Sequence, residues 1–422
     1  MMDLRLTDID LTNPDIFQTG TPHDMFRLLR REAPVFWHEE KNGPGFWAVT
    51  KYDDLKYVSR NPQLFSSEAQ GTLLRDPPAA DLPYVQAIML NMDPPKHRHY
   101  RALISKAFTP RMVDNLHARV RTMVREIING VIEKGECDFV EDIAARLPLW
   151  VIADMMGVPD EDRRHIYEIG NKLVGFDDPE YHPDGTTVDD MNAKDAFAEM
   201  FMYADKLREQ ARSNPKDDLA TGLVMAEIDG ERLSDMDFNF FFLVLLIAGN
   251  ETTRTVTTNG MLTLMDHPDQ LADLRRDIRL LPGSVEEILR FAPAVHCFRR
   301  QSLAPAEIRG QRIEPDQKIM LWYPSANRDE DVFDQPDIFN IRRHPNDHVA
   351  FGFGEHYCLG ANLARLELNE IFRGIALRLH DVELSAAPRR LRSTFINGVK
   401  EMQIRFRPGP VEQLSDPLAL AR

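Results

Sequence analysis

The stretch Phe351-Gly-Phe-Gly-Glu-His-Tyr-Cys-Leu-Gly360 decides how this chain is read. It sets one cysteine, Cys358, at the end of a glycine-broken loop and just before an apolar helical pattern. A helix N-terminus offers free N–H groups and partial positive charge, which favour the thiolate, the form that ligates metal. Gly352, Gly354 and Gly360 let the backbone turn sharply and approach a flat partner that a Cβ would obstruct. One sulfur does not make a structural zinc site, which takes about four Cys/His ligands in paired spacing. A single axial thiolate suits haem iron, where it pushes electron density towards O–O cleavage.

Working outward, no Gly/Ser-rich or Pro-rich linker and no internal repeat divides the 422 residues. The pieces of one candidate site run from about His97 to Gly360, so the expectation is one domain over 1–422, with about 1–20 and 409–422 peripheral. A hydrophobic share of 43% beside 28% charged residues provides for a large buried core. The net charge of −16 argues against nucleic acid or an anionic membrane as partner. Three cysteines (Cys137, Cys297, Cys358) give no disulfide framework, which points to a reducing cytoplasm. The polar, acidic start carries no signal segment. The most apolar stretch, Phe238 to Gly249, contains Asn239 and falls short of the roughly 20 residues of a membrane span, so no membrane anchor is expected.

Helical patterns dominate: Thr21–Glu32, Met112–Lys134, Val140–Met156, Glu161–Val174, Lys194–Ser213, Asp218–Ile228, Asp269–Leu280 and Ser284–Phe291. Asp93-Pro-Pro-Lys96 predicts a helix capped by Asp93 with Pro94 in its first turn. Ser234 caps the longest helix, which runs to about Asp266 and whose apolar first half marks it as central and buried. Strands are predicted at Phe46–Thr50, Glu307–Ile313 and Ile319–Tyr323, and a long loop over Ser66–Leu90. The acidic, proline-punctuated Gly175–Gly185 is a candidate lid, and a last helix follows Cys358 to about Leu379.

The cysteine segment resembles the ligand loop of the cytochrome P-450 family, the haem-thiolate monooxygenases, whose Phe-Gly-x-Gly-x-His-x-Cys-x-Gly is met at Phe351, Gly352, Gly354, His356, Cys358 and Gly360. The resemblance implies a mainly α fold with small β-sheets, the long central helix over the haem and the cysteine loop beneath it. It implies haem b (iron protoporphyrin IX), held to its metal by Cys358, with O2 as co-substrate. Ala248-Gly-Asn-Glu-Thr-Thr253 is similar to the family's oxygen-site pattern. Gly249 costs roughly 1 kcal/mol in a helix interior, and the family's reason is that Ala248 and Gly249 pass over the haem face. Thr252 can bond back to a helix carbonyl; by resemblance it hydrogen-bonds dioxygen while Glu251 relays protons from solvent.

By the same resemblance His97 and Arg101, on one helix face, hold the haem propionates, together with His356 and Arg300. Arg299 competes for the role of Arg300. Glu287 and Arg290 match the family's Glu-x-x-Arg pair and are read as scaffold, completed by Arg342 or Arg343. Val295, His296, Phe298 and Ile396 fall where the family lines its substrate pocket, with His296 able to orient a substrate oxygen. The expected substrate is a lipophilic small molecule, by loose similarity a steroid or sterol, terpenoid or branched lipid. The chain carries no flavin or iron–sulfur segment, so electrons are expected from a separate ferredoxin and its NAD(P)H-dependent reductase. Lys96, Arg98, His99, Lys106 and Arg111, with Arg365, form the basic patch expected to dock that donor. The alternatives are a peroxide-driven peroxygenase and a non-catalytic haem-binding or sensor protein.

Overall fold

Ser234 and Asp237 start the longest helix with reciprocal bonds: the Ser234 hydroxyl accepts from Asp237 N–H (3.1 Å) and the Asp237 carboxylate accepts from Ser234 N–H (3.2 Å). In the computed structural model, which describes residues 4–181, 191–228 and 231–413, that helix spans Asp235–Asp266. At about 1.5 Å per residue it is about 48 Å long. Phe238, Phe241, Phe242 and Leu246 bury its first half. Its second half buries hydroxyls instead, satisfied within the helix: Thr257 donates to Thr253 O (2.8 Å), Thr258 to Arg254 O (2.9 Å) and Thr263 to Asn259 O (2.8 Å). At Gly260 a Cβ would lie 2.6 Å from the Phe372 ring and 2.7 Å from Ile288, so glycine is what lets three helices meet there.

Those partners are Leu281–Phe291, which carries Glu287 and Arg290, and Ala361–Arg378, which follows the cysteine loop. Helix makes up 54% of the structure, and the strands form small sheets, the largest of five strands. In that sheet Lys318–Trp322 runs parallel to Phe46–Val49 and antiparallel to Cys297–Ser302. Val35–His38 and Phe65–Ser66 are its edges. Among the described residues no helix is long and apolar enough to cross a membrane.

Glu287 and Arg290 have no exposed side-chain surface and bond through two N–H···O contacts of 2.8 Å. Arg343, not Arg342, completes the group, donating to Glu287 at 3.1 and 3.2 Å. Arg342 pairs at the surface with Asp273 (2.7 Å).

Several expectations need correction. Residues 4–20 are not peripheral: Leu11 and Phe17 are buried, Phe17 stacks on Trp322 (5.8 Å), and Leu11 N–H donates to His38 Nε2 (2.9 Å). Asp93 caps nothing, because its carboxylate is taken by Ser66 and by Ser67 N–H (2.9 Å); the helix is Lys96–Ser105 with no side-chain cap. The stretch 66–90 is not all loop. Pro83 sits in the first turn of a short helix, Leu82–Ala87, where its fixed φ is favourable. Asp218 does cap a helix, but one that stops at Val224; Glu227–Ile228 and Glu231–Arg232 then pair as a hairpin. Of the lid candidate, 175–181 is described and 182–185 lies outside the described residues, as does the tail from 414 on.

Candidate active site

The loop before Cys358 turns through two left-handed glycines, Gly352 (φ +72°) and Gly354 (φ +74°), and a Cβ at Gly354 would lie 2.5 Å from Ser59 O. Cys358 N–H donates to Phe351 O (2.8 Å), which closes the loop just ahead of the helix Ala361–Arg378. Phe351 packs under the Arg365 guanidinium, 4.6 Å from its ring centre. The expected lowering of the thiol does not hold for the chain alone. Burial pushes the Cys358 thiol up, against the smaller opposing pulls of Gly360 N–H, Arg101 and Arg365. A metal bound there would favour the thiolate by its own charge, in addition to those pulls.

His97, Arg101, Arg300 and His356 converge. The two imidazoles lie 4.2 Å apart. His97 and Arg300 are buried, and Arg101 donates to Tyr357 O (2.6 Å). Burial, then the Arg101 charge, takes His97 down to about 4; burial, then Arg300 and His97, takes His356 down to about 2. Arg300 donates to Arg299 O (2.7 Å), and among the described residues no carboxylate forms an ion pair with Arg101 or Arg300. His97 Nδ1 is buried with no hydrogen-bond partner there.

A buried cation such as Arg300 without an ion-pair partner is costly, so this cluster suits a ligand carrying carboxylates. The two propionates of haem fit it. A Cβ at Gly360, beside the sulfur, would meet no protein atom within 4 Å, so the chain itself does not require glycine there. Strand alternation settles which arginine belongs to the cluster. Arg299 points the other way and is neutralised by Asp76 (2.6 Å).

On the central helix Val244, Ala248 and Thr252 are spaced i, i+4, i+8 on one face, and Ala248 is exposed in the middle of an otherwise buried element. Thr252 donates to Ala248 O (2.8 Å), as expected of a hydroxyl that bonds back along the helix. Gly249 is not on that face: a Cβ there would point at Ile152 of the neighbouring helix Arg146–Met156, 3.4 Å away. Its small size serves helix packing. Glu251 is buried and paired to Arg254 at 2.5 Å, and Arg254 is held in turn by Tyr167 (2.9 Å) and Asn171 (2.8 Å).

Val295 and Ile396 meet through a β-bridge, within an apolar cluster that also contains Val174, Tyr181, Ile247, Leu391 and Phe395. Phe298 joins it through Phe395, ring centres 5.5 Å apart. His296 does not. One residue on from Val295 it faces the opposite side, wholly buried beside Phe17, with Nε2 3.1 Å from the Thr21 hydroxyl. Burial there takes it down to about 3, so it is neutral and structural. Ile247 was missed although it precedes Ala248 directly; nothing in the local pattern marked Val174, Tyr181 or Leu391.

Of the basic patch, Lys96, Arg98, His99, Lys106 and Arg111 are exposed, with Arg98 paired to Glu355. Arg365 is withdrawn from it by a two-pronged bond to Glu286 (2.7 and 2.9 Å).

Residues 14–387 match the family model for cytochrome P-450. A steroid C26-monooxygenase of Mycobacterium tuberculosis is 41% identical over 94% of this chain and 92% of its own length. A methyl-branched lipid omega-hydroxylase of the same organism is 39% identical over 95% of each. A Mycobacterium marinum cytochrome P-450 solved in complex with pseudoionone superposes with a TM-score of 0.88 at 35% identity, covering 96% of this chain and all of that one. With the cysteine loop, the anion-seeking cluster and the single open face of the central helix, these likenesses lead to one conclusion: the chain belongs to the cytochrome P-450 family, a haem-dependent monooxygenase that acts on a lipophilic small molecule with O2 as co-substrate.

Proposed function

We propose that this enzyme hydroxylates the methyl-branched end of a steroid side chain or of a branched lipid. The observation that carries this reading is the shared target of the two relatives, at 41% and 39% identity. C26 of a steroid is the end methyl of a branched side chain, and an omega position of a methyl-branched lipid is chemically the same group. The aliphatic wall Val174, Ile247, Val295, Leu391 and Ile396 suits such an end.

Cys358 would supply the thiolate ligand to haem iron, and His97, Arg101, Arg300 and His356 would hold the propionates by charge-assisted bonds. Haem bound there supplies the activation of O2. Thr252 holds a hydroxyl proton at the open helix face. Glu251 receives protons from water and hands them towards Thr252, leaving Arg254 to do so. The apolar wall excludes water and orients the substrate's end. Electrons come from a separate ferredoxin and NAD(P)H-dependent reductase, docking at Lys96, Lys106 and Arg111, which are exposed.

The test is a titration of the ferric protein, followed by the Soret band, with a side-chain-bearing steroid, a side-chain-less steroid, a methyl-branched fatty acid and a linear one. The two branched ligands shift the band at the lowest concentration and are oxidised at the terminal methyl. Tightest shifts with the side-chain-less steroid, or ring hydroxylation, would overturn the assignment. Thr252→Ala is expected to keep consuming NAD(P)H while losing product.

A further inference from the structure

Glu251 lies deep, yet a relay needs contact with bulk water. On the outer side of the helices Arg146–Met156 and Arg163–Val174 there is an open groove of about 360 Å³, lined by Glu141, Arg146, Leu149, Arg163 and Tyr167 among others. Inside lies a cavity of about 10 Å³, room for the centre of one water molecule, lined by Asn250 and Glu251 and otherwise by Gly170 and apolar side chains, Leu149 and Ile247 among them. Leu149 is the one lining residue the two share. Asn250 Oδ1 is buried with no hydrogen-bond partner among the described residues, and its side chain lines the cavity. A buried amide oxygen in that state calls for a water.

Beside this path runs a continuous set of bonds from surface to interior. Tyr167 donates to the exposed Glu141 (2.8 Å), Arg254 donates to the Tyr167 oxygen (2.9 Å), and Arg254 pairs with Glu251 (2.5 Å). Tyr167 is thus an anchor for the cation that competes for the carboxylate of Glu251.

We propose that this groove is the proton inlet of the enzyme, with Asn250 holding the water next to Glu251 and Tyr167 acting as the positioning residue that lets Arg254 release it. The inference rests on the relay role given to Glu251 above. A proton taken from bulk water at the groove passes to the cavity water, and from it to the Glu251 carboxylate. Glu251 returns to its anion when it hands a proton on towards Thr252, so the protein is unchanged over the cycle and one proton has moved inward. With Tyr167 removed, Arg254 has one acceptor fewer and holds Glu251 more firmly.

Tyr167→Phe, Leu149→Phe and the conservative surface change Glu141→Gln are compared with Glu251→Gln. The holoenzyme is used with a ferredoxin system and the ligand giving the largest Soret shift. The inlet variants are expected to cut product formed per NAD(P)H about threefold to tenfold and to raise the solvent deuterium isotope effect, with the ligand's Kd unchanged. A merely structural role would move the Kd and melting temperature instead. A crystal structure is expected to show an ordered water within hydrogen-bond distance of Asn250 Oδ1. A dry cavity, or inlet variants that match the wild type while Glu251→Gln is uncoupled, overturns the inlet and leaves the relay standing. A fully coupled Glu251→Gln removes the relay and the inlet with it.

Discussion

Two buried groups of charge in this protein have opposite characters. Around Glu287 every charge is answered: Arg290 and Arg343 bracket the carboxylate, Asn340 N–H and Asn346 add bonds of 2.9 and 3.1 Å, and Arg290 also donates to Asn327 O and Pro336 O. Around Arg300 no acid among the described residues forms an ion pair with it or with Arg101, although Asp93 and Glu355 lie near enough to be felt, and His97 Nδ1 is orphaned. A closed charge network is architecture; an open one is a candidate binding site. Charge type and burial do not separate the two cases. Completeness does.

The largest effect that would break this contrast is on stability. Glu287→Ala strands two buried guanidinium groups and should cost about 3–5 kcal/mol in urea denaturation. Arg300→Leu should leave the haem-free chain at least as stable, because it removes an uncompensated buried charge, while haem affinity falls sharply. Equal destabilisation by both changes would erase the distinction.

A smaller effect is on pH. His97 and His356 titrate below an unfolded value near 6.5, at about 4 and about 2. Between those limits the unfolded chain binds more protons, so stability rises with pH and is lost as pH falls below 6.5. The haem-free protein should show this acid slope between pH 6.5 and about 4. Haem propionates, by favouring the charged imidazoles, should flatten it, and so should His97→Asn without haem. Matching slopes with and without haem would count against the cluster as the propionate site.

The smallest effect belongs to the surface. Lys106 and Arg111 pair with no carboxylate among the described residues, unlike Arg98 and Arg365. Lys106→Glu should slow reduction by an acidic ferredoxin several-fold at low salt, with the difference fading as salt rises and stability unmoved. The same reversal at Arg98 should do less, since Glu355 already occupies it. Stopped-flow reduction across a salt series checks both.

Much of this was legible in the chain. The cysteine loop, the Ser234 cap and the helix to Asp266 rest on local chemistry, where turn residues and capping side chains act within a few positions. The residues of the open charge cluster were named from the family resemblance, and helix spacing added only that His97 and Arg101 share a face. What failed depended on direction in space. His296 was one residue out of phase with the pocket wall, Gly249 faced Ile152, and Asp93 was taken by serines some 26 positions earlier. Arg342 and Arg343 are adjacent in sequence, and only the distant position of Glu287 chooses between them. The thiol's behaviour could not be read either: a helix start lowers it, but burial, a property of the whole fold, outweighs that.

The crossing at Gly260 fixes how the oxygen-side face can respond to a ligand. Phe372 and Ile288 close on the long helix at Gly260, too near for a Cβ, so a slide that brought a larger residue to that crossing would collide with them. A displacement at Thr252, eight residues or about 12 Å away, is then easier as a tilt about that crossing than as a slide along the axis. A ligand pressing on Ala248 would move Thr252 and Glu251 in concert, since one continuous helix carries all three.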